Sequence, residues 1–265
     1  VLRLTKHHGL GNDFLVALAA DNPDLEPDPD RARLLCDRHL GVGADGLLLA
    51  LAPGGTSADA HMVLLNADGS EAEISGNGIR CLGQALLRAA GRGEGELLVE
   101  TAAGLRRLRT VRGDVDGTLW MEVDLGPARP GPPPGPVAAA YPARERATVD
   151  IGNPHLVLLV DSPDAVELER DGPVLEASIP GGVNVEVVEV HDARHLALRV
   201  WERGAGLTRA CGSGAAAAVA AARRWGLVGD RVLVSMPGGD VEVELTDGSV
   251  LLTGPTTFVA EVMVP

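Results

Sequence analysis

Two residues, Cys211 and Ser75, carry the best case for chemistry. Cys211 precedes Gly212-Ser213-Gly214 and an alanine-rich run, a pattern that predicts a helix over 214–225. Unpaired amides and the positive end of the dipole at a helix start favour a thiolate, although most free cysteines are buried and inert. Ser75 precedes Gly76-Asn77-Gly78 and a second predicted helix, 78–90. Alone, such a serine reads as an N-cap; its correspondence with Cys211 gives it chemical meaning. Two groups related by a pseudo-two-fold axis would face one another across a cleft between domains. They could remove a proton from one face of a carbon and return one to the other. The two helix starts would hold a carboxylate and stabilise its deprotonated form.

The remaining polar residues suit a small zwitterionic ligand. Asn12, Asn66, Asn153 and Asn184 lie at strand ends or turns, where asparagine is also an ordinary turn residue. Arg203 could grip a carboxylate bidentately or sit in a surface ion pair. The seven histidines show no metal-binding spacing, so no metal is expected. Lys6 is the only lysine, which leaves a pyridoxal phosphate enzyme one Schiff-base candidate. Cys36 and Cys81 fall within helical runs and read as core; three scattered cysteines make no disulfide framework.

The elements that must position these groups repeat. Gly11-Asn12-Asp13-Phe14 resembles Gly152-Asn153-Pro154-His155, Gly43-Ala44-Asp45 resembles Gly182-Val183-Asn184, and Ser75-Gly76-Asn77-Gly78 resembles Cys211-Gly212-Ser213-Gly214. Further matches at 61/195, 98/233 and 116/247 keep the same order, which points to an internal duplication. The proline-rich segment 126–136 divides the copies into residues 1–125 and 126–265, with the C-terminal strand free to return to the first half. Short β-type runs such as LVAL, GLLLA, HLVLLV and NVEVVEV alternate with turn signals. Helices are also predicted over 30–40 and 163–170. The fold class is α+β, two pseudo-symmetric domains, each a β-rich unit with one central helix.

Composition narrows the partners. Of 265 residues, 45% are hydrophobic, enough for a core, and aromatics are only 2%, too few for base-stacking platforms. A net charge of -14 repels phosphate backbones, so no nucleic acid and no anionic membrane surface is expected. No leader pattern opens the chain, and its longest wholly apolar run, 215–222, is far below a bilayer span. A cytoplasmic protein acting on a small molecule is the expectation, and a homodimer is compatible with it.

Taken together, Lys6 to Phe14, Asn66-Ala67-Asp68-Gly69-Ser70-Glu71, Gly76-Asn77-Gly78-Ile79-Arg80-Cys81, Gly152 to His155, Val183-Asn184, and Glu202-Arg203 through Gly214 resemble diaminopimelate epimerase. The resemblance runs from residue 5 to about 259. It implies two domains, each a β-barrel-like sheet around a central helix, and cofactor-independent interconversion of LL- and meso-diaminopimelate by two cysteines, feeding lysine biosynthesis. Carried over, Cys211 matches one catalytic cysteine, and His155 with Glu202 matches residues that support catalysis. Asn12, Asn66, Asn153, Asn184, Glu202 and Arg203 match substrate-binding positions. Gly76, Asn77, Gly212 and Ser213 match the helix starts that bind the reacting carboxylate.

Two positions depart. Gly46 stands where many members have glutamine, and Ser75 stands where the family has its other catalytic cysteine. A serine hydroxyl is a far weaker acid than a thiol and supplies little anion without an adjacent base. Three readings stay open: an epimerase impaired or made one-directional at this position, a racemase- or dehydratase-like enzyme acting on another amino acid, and a ligand-binding protein that has lost turnover.

Overall fold

The computed structural model describes residues 1–265, with side chains for all but Asp114 and Val115. The chain forms two compact units, Val1–Asp124 with Thr253–Pro265, and Leu125–Leu252. The first contains β1 (Leu2–Gly9), β2 (Asn12–Leu18), α1 (Pro29–Cys36), β3 (Gly46–Leu51), β4 (Ala60–Asn66), β5 (Glu71–Ala72), α2 (Gly76–Ala89), β6 (Glu96–Thr101), β7 (Gly104–Val115) and β8 (Thr118–Asp124). The second contains β9 (Arg129–Pro130), α3 (Pro136–Ala140), β10 (Glu145–Asp150), β11 (Pro154–Leu159), α4 (Leu168–Glu176), β12 (Asn184–Asp192), β13 (His195–Glu202), β14 (Gly206–Thr208), α5 (Gly212–Arg224), β15 (Arg231–Met236) and β16 (Gly239–Leu245). A long last strand, β17 (Val250–Val264), supplies the C-terminal segment of the first unit.

In the first unit β1–β2 is antiparallel, β2–β3 parallel, β3–β4 antiparallel, β4–β6 parallel and β6–β7 antiparallel. The second repeats this sequence of pairings strand for strand: β10–β11, β11–β12, β12–β13, β13–β15 and β15–β16. A mixed order reproduced at five successive pairings is the structural form of the duplication. In the first unit β8 pairs β7 and β17, and β17 pairs β1, so eight strands close into a barrel.

Each unit wraps its strands about a central helix. α2 touches β1, β2, β3, β4 and β8; α5 touches β10, β11, β12, β13 and β16. Every residue of α5 from Gly212 to Ala222 is buried. A helix surrounded by strands must be apolar all round and slim, which explains its alanines. α2 keeps larger residues, and Gly83 makes room for them: a Cβ there would stand 2.9 Å from Met121 Cε. The strands beside the parallel pair are covered on their second face as well. Leu15, Leu47, Leu49 and Leu65 pack with Leu35 of α1, and Leu156, Leu158, Val185 and Val187 with Leu168 and Leu175 of α4. Burial on both faces makes β2, β3 and β11 continuous apolar runs rather than alternating ones, while β12 is buried over Asn184–Val188 but carries Glu186.

Several boundaries differ from expectation. α1 stops at Cys36 rather than 40 because Asp37 Oδ1 accepts the amides of His39 and Leu40, folding the chain into a turn. The 163–170 stretch is a 3₁₀ turn, Pro163–Ala165, followed by α4, which runs on to Glu176. α2 and α5 begin two residues early because Ser75 and Cys211 are themselves the N-caps. The proline-rich segment is structured: Pro130 and Arg129 pair with Val149 and Asp150, and Pro136 opens α3. Asn184 corresponds to Gly46, not to Asp45, since His155 faces Asn184 across β11–β12 as Phe14 faces Gly46 across β2–β3.

Candidate functional site

The second unit gathers most of the candidate residues into one hydrogen-bonded network. Cys211 caps α5, its Sγ accepting the Gly214 amide at 3.4 Å and lying 3.6 Å from Ser213 Oγ. Asn153 Nδ2 donates to Ser213 Oγ at 3.5 Å, while Asn153 Oδ1 lies 2.9 Å from His155 Nε2. His155 Nδ1 lies 2.7 Å from Glu186 Oε1, and both side chains are wholly buried. Glu202 is hydrogen-bonded to the Cys211 thiol and accepts the Thr208 hydroxyl. Asn184 donates to the Pro154 carbonyl at 3.0 Å and accepts the Arg203 amide at 2.9 Å, fixing the backbone between Glu202 and Gly204. The Arg203 stem lies over Gly182, whose φ of +76° and lack of a Cβ make room for it; a Cβ there would stand 3.0 Å from Arg203 Cδ.

These surroundings overturn the expectation of a thiolate at Cys211. Burial, then the negative charges of Glu202 and Glu186, push its pKa well above the ordinary thiol range, outweighing the hydrogen bonds from Ser213 and Gly214. Burial likewise pushes the Glu202 carboxyl up to about 6, against the lowering effect of Thr208 and Cys211. At neutral pH the Cys211 thiol therefore keeps its proton, while Glu202 is largely ionised.

In the first unit Ser75 caps α2, with its Oγ accepting the Gly78 amide at 3.0 Å. Asn77 Nδ2 donates to Asn12 Oδ1 at 3.2 Å, and Asn12 Nδ2 donates to Asp45 Oδ2 at 2.8 Å. Ser75, Gly76, Asn77 and Asn12 thus share one corner. The Asn66 side chain bonds within its own turn, its Nδ2 donating to Ser70 Oγ at 3.0 Å. Gly46 pairs both Phe14 and Asn66, and a Cβ there would stand 2.9 Å from Leu65 O, so the backbone leaves no room for a side chain.

Sequence reasoning missed Glu186. Its signal was a lone acid at an inward position of the apolar run Asn184–Val188, a placement that demands a partner. It also missed the ionic cluster behind Asn12, in which Asp13 meets Lys6 at 2.9 Å and Arg38 at 2.7 Å, with Arg38 also on Asp45 at 2.7 Å. Lys6 is thereby engaged by Asp13 and by the Gly43 carbonyl. Among the described residues, no three His, Cys, Asp or Glu side chains gather as a metal ion would require. Among the described residues, no helix is long and apolar enough to cross a membrane.

The arrangement can be set beside known proteins. The diaminopimelate epimerase family model matches residues 4–130 and 147–259. The diaminopimelate epimerase of Rhodospirillum centenum is 44% identical, the match covering 98% of this chain and 92% of that protein. That of Alkalilimnicola ehrlichii is 42% identical, covering 98% and 97%. Among solved structures, a hydroxyproline epimerase from Agrobacterium vitis superposes with a TM-score of 0.75 at 20% identity, covering 98% of this chain and 91% of that one. That last likeness is one of fold, two barrel-like units each around a helix. With a family match across both units and identities above 40% over nearly the whole length, the chain belongs to the diaminopimelate epimerase family.

Proposed function

We propose that this protein is a cofactor-independent isomerase that interconverts LL- and meso-diaminopimelate by proton transfer at Cα, with Cys211 as one acid/base and Ser75 in the place of the other. The observation that supports it most is the Cys211 half-site: a thiol capping a helix start, bonded to Glu202 and beside the Ser213–Asn153–His155–Glu186 chain. In this reading the amides of Gly212 and Ser213, and those of Gly76 and Asn77, hold the carboxylate next to the reacting carbon and take up the charge that develops when the proton leaves. Asn12, Asn66, Asn153, Asn184, Glu202 and Arg203 bind the rest of the substrate. His155 and Glu202 support the proton exchange of Cys211. A cytoplasmic place in lysine biosynthesis follows from the same reading.

The raised pKa of Cys211 makes its two tasks unequal. The thiol delivers its proton to a carbanion readily, whereas abstraction by Cys211 first requires the thiol proton to leave, with Glu202 as the adjacent acceptor. Ser75 supplies a hydroxyl that already caps α2 by accepting the Gly78 amide. That capping role favours a second reading, in which the protein binds the amino acid without turning it over. Formation of the meso form from LL-diaminopimelate, without added pyridoxal phosphate, separates the two. The epimerase reading expects turnover that falls by about 10² to 10⁴ in Cys211→Ala. Binding by calorimetry with no turnover above that variant would leave the second reading standing.

A further inference from the structure

The first turn of α2 carries a charge that the proposed mechanism does not yet use. Arg80 is fully buried and is among the largest side chains so placed. Its Nη1 donates to the Gly76 carbonyl at 2.9 Å and its Nη2 to Asn77 Oδ1 at 2.7 Å, while Nε has no acceptor. Among the described residues no carboxylate pairs with it; Asp13 and Asp45 are held by Lys6 and Arg38. Burial lowers its pKa only to about 10, so it stays cationic at neutral pH. A buried cation without a counter-ion is costly unless an anion completes it. Arg80 grips the first two residues of the helix start, Gly76 and Asn77, and through Asn77 it reaches Asn12.

The second unit has nothing of the kind. Four residues after Gly212, where α2 has Arg80, α5 has Ala216. The buried charges around Cys211 are instead carboxylates, Glu186 and Glu202. The fully buried charge at the start of α2 is a cation, with the mixed Lys6–Asp13–Arg38–Asp45 cluster behind Asn12, whereas the charges around Cys211 are anions.

We propose that Arg80 is a positioning residue that makes the α2 half-site the anion-holding one: its guanidinium orients Gly76 and Asn77 and stabilises negative charge on the group at position 75 and on the carboxylate bound at the start of α2. This rests on the epimerase reading for its purpose but not for its test. A thiol introduced by Ser75→Cys reports the field directly, through the pH dependence of its alkylation by iodoacetamide, localised by tandem mass spectrometry. The position-75 thiol titrates at least one pH unit below Cys211 in the same protein. Arg80→Gln in that background raises its midpoint by about one unit, a tenfold loss of thiolate at fixed pH, and Arg80→Lys restores most of it. Iodoacetate, being anionic, gains on iodoacetamide at position 75 relative to Cys211. An unchanged midpoint in a folded Arg80→Gln protein, or Lys no better than Gln, overturns the proposal. If Arg80→Gln does not fold, an iodoacetate preference at position 75 no greater than at Cys211 overturns it. Absent epimerase activity in every variant, with these shifts present, would count against the epimerase reading alone.

Discussion

The two half-sites share a frame and differ in what fills it. In each, a capping side chain accepts the third amide of its helix, Gly78 for Ser75 and Gly214 for Cys211. In each, the parallel strand pair behind the cap presents residues in the same register, Phe14 and Leu48 in one unit and His155 and Glu186 in the other. The third helical residue is glycine in both. A Cβ on Gly78 would stand 3.5 Å from Leu48 Cδ2, whereas one on Gly214 would stand 2.7 Å from Glu186 Oε1. The difference teaches that the backbone supplies the helix start twice, and that side chains set the charge state. An apolar pair and a buried arginine stand behind Ser75; an acid–histidine pair and a second acid stand around Cys211.

The largest effect on stability comes from making the second unit resemble the first. Glu186→Leu strands His155 against an apolar wall and is expected to cost about 3–5 kcal/mol, as breaking a buried pair does. Adding His155→Phe recreates the Phe14–Leu48 arrangement and should return most of that loss. Urea unfolding of the two single variants and the double variant measures the coupling. Additive losses would show that the pair is not a unit.

A smaller contrast lies in pH. His7 of the first unit is held at Gln84 Oε1 (2.9 Å) and Thr5 Oγ1 (3.0 Å), and burial lowers its pKa to about 4. The unfolded chain takes up this proton first, so the His7 contribution is complete above about pH 6.5. It falls away as pH drops toward 4, by roughly 3 kcal/mol in all. Glu202 runs the other way. With a folded pKa of about 6, its contribution is present below the unfolded value of 4.5 and is lost as pH rises to 6. Unfolding curves between pH 4.5 and 7 should flatten on the acid side in His7→Gln, and lose their decline between 4.5 and 6 in Glu202→Gln. Unaltered profiles would contradict both assignments.

What was legible in the residues follows the same physics. β2, β3 and β11 are buried on both faces and announce themselves as apolar runs, FLVAL, LLLAL and LVLL, whereas β12 breaks its run with the buried Glu186. β7, Gly104–Val115, was hidden by its arginines, since exposed Arg107 and Arg109 alternate with Leu108, which is wholly buried. β10 presents half-exposed polar residues and little pattern. At the site, the helix starts and their capping residues could be read from glycine spacing. Glu186, Arg80 and the Lys6–Asp13–Arg38–Asp45 cluster could not, because each depends on partners distant in the chain. The charge state of Cys211 failed for the same reason: the helix start was visible, and the two carboxylates beside the sulfur were not.

The central claim is that the half-sites are equal in frame and unequal in chemistry, and exchange of the Cα proton tests it most directly. In deuterium oxide, LL- and meso-diaminopimelate incubated separately should exchange at rates that differ by tenfold or more, both depending on Cys211. Ser75→Cys should narrow that gap and raise the slower rate by at least tenfold. Equal rates from the two isomers in the unaltered protein, or exchange that persists in Cys211→Ala, would contradict the account.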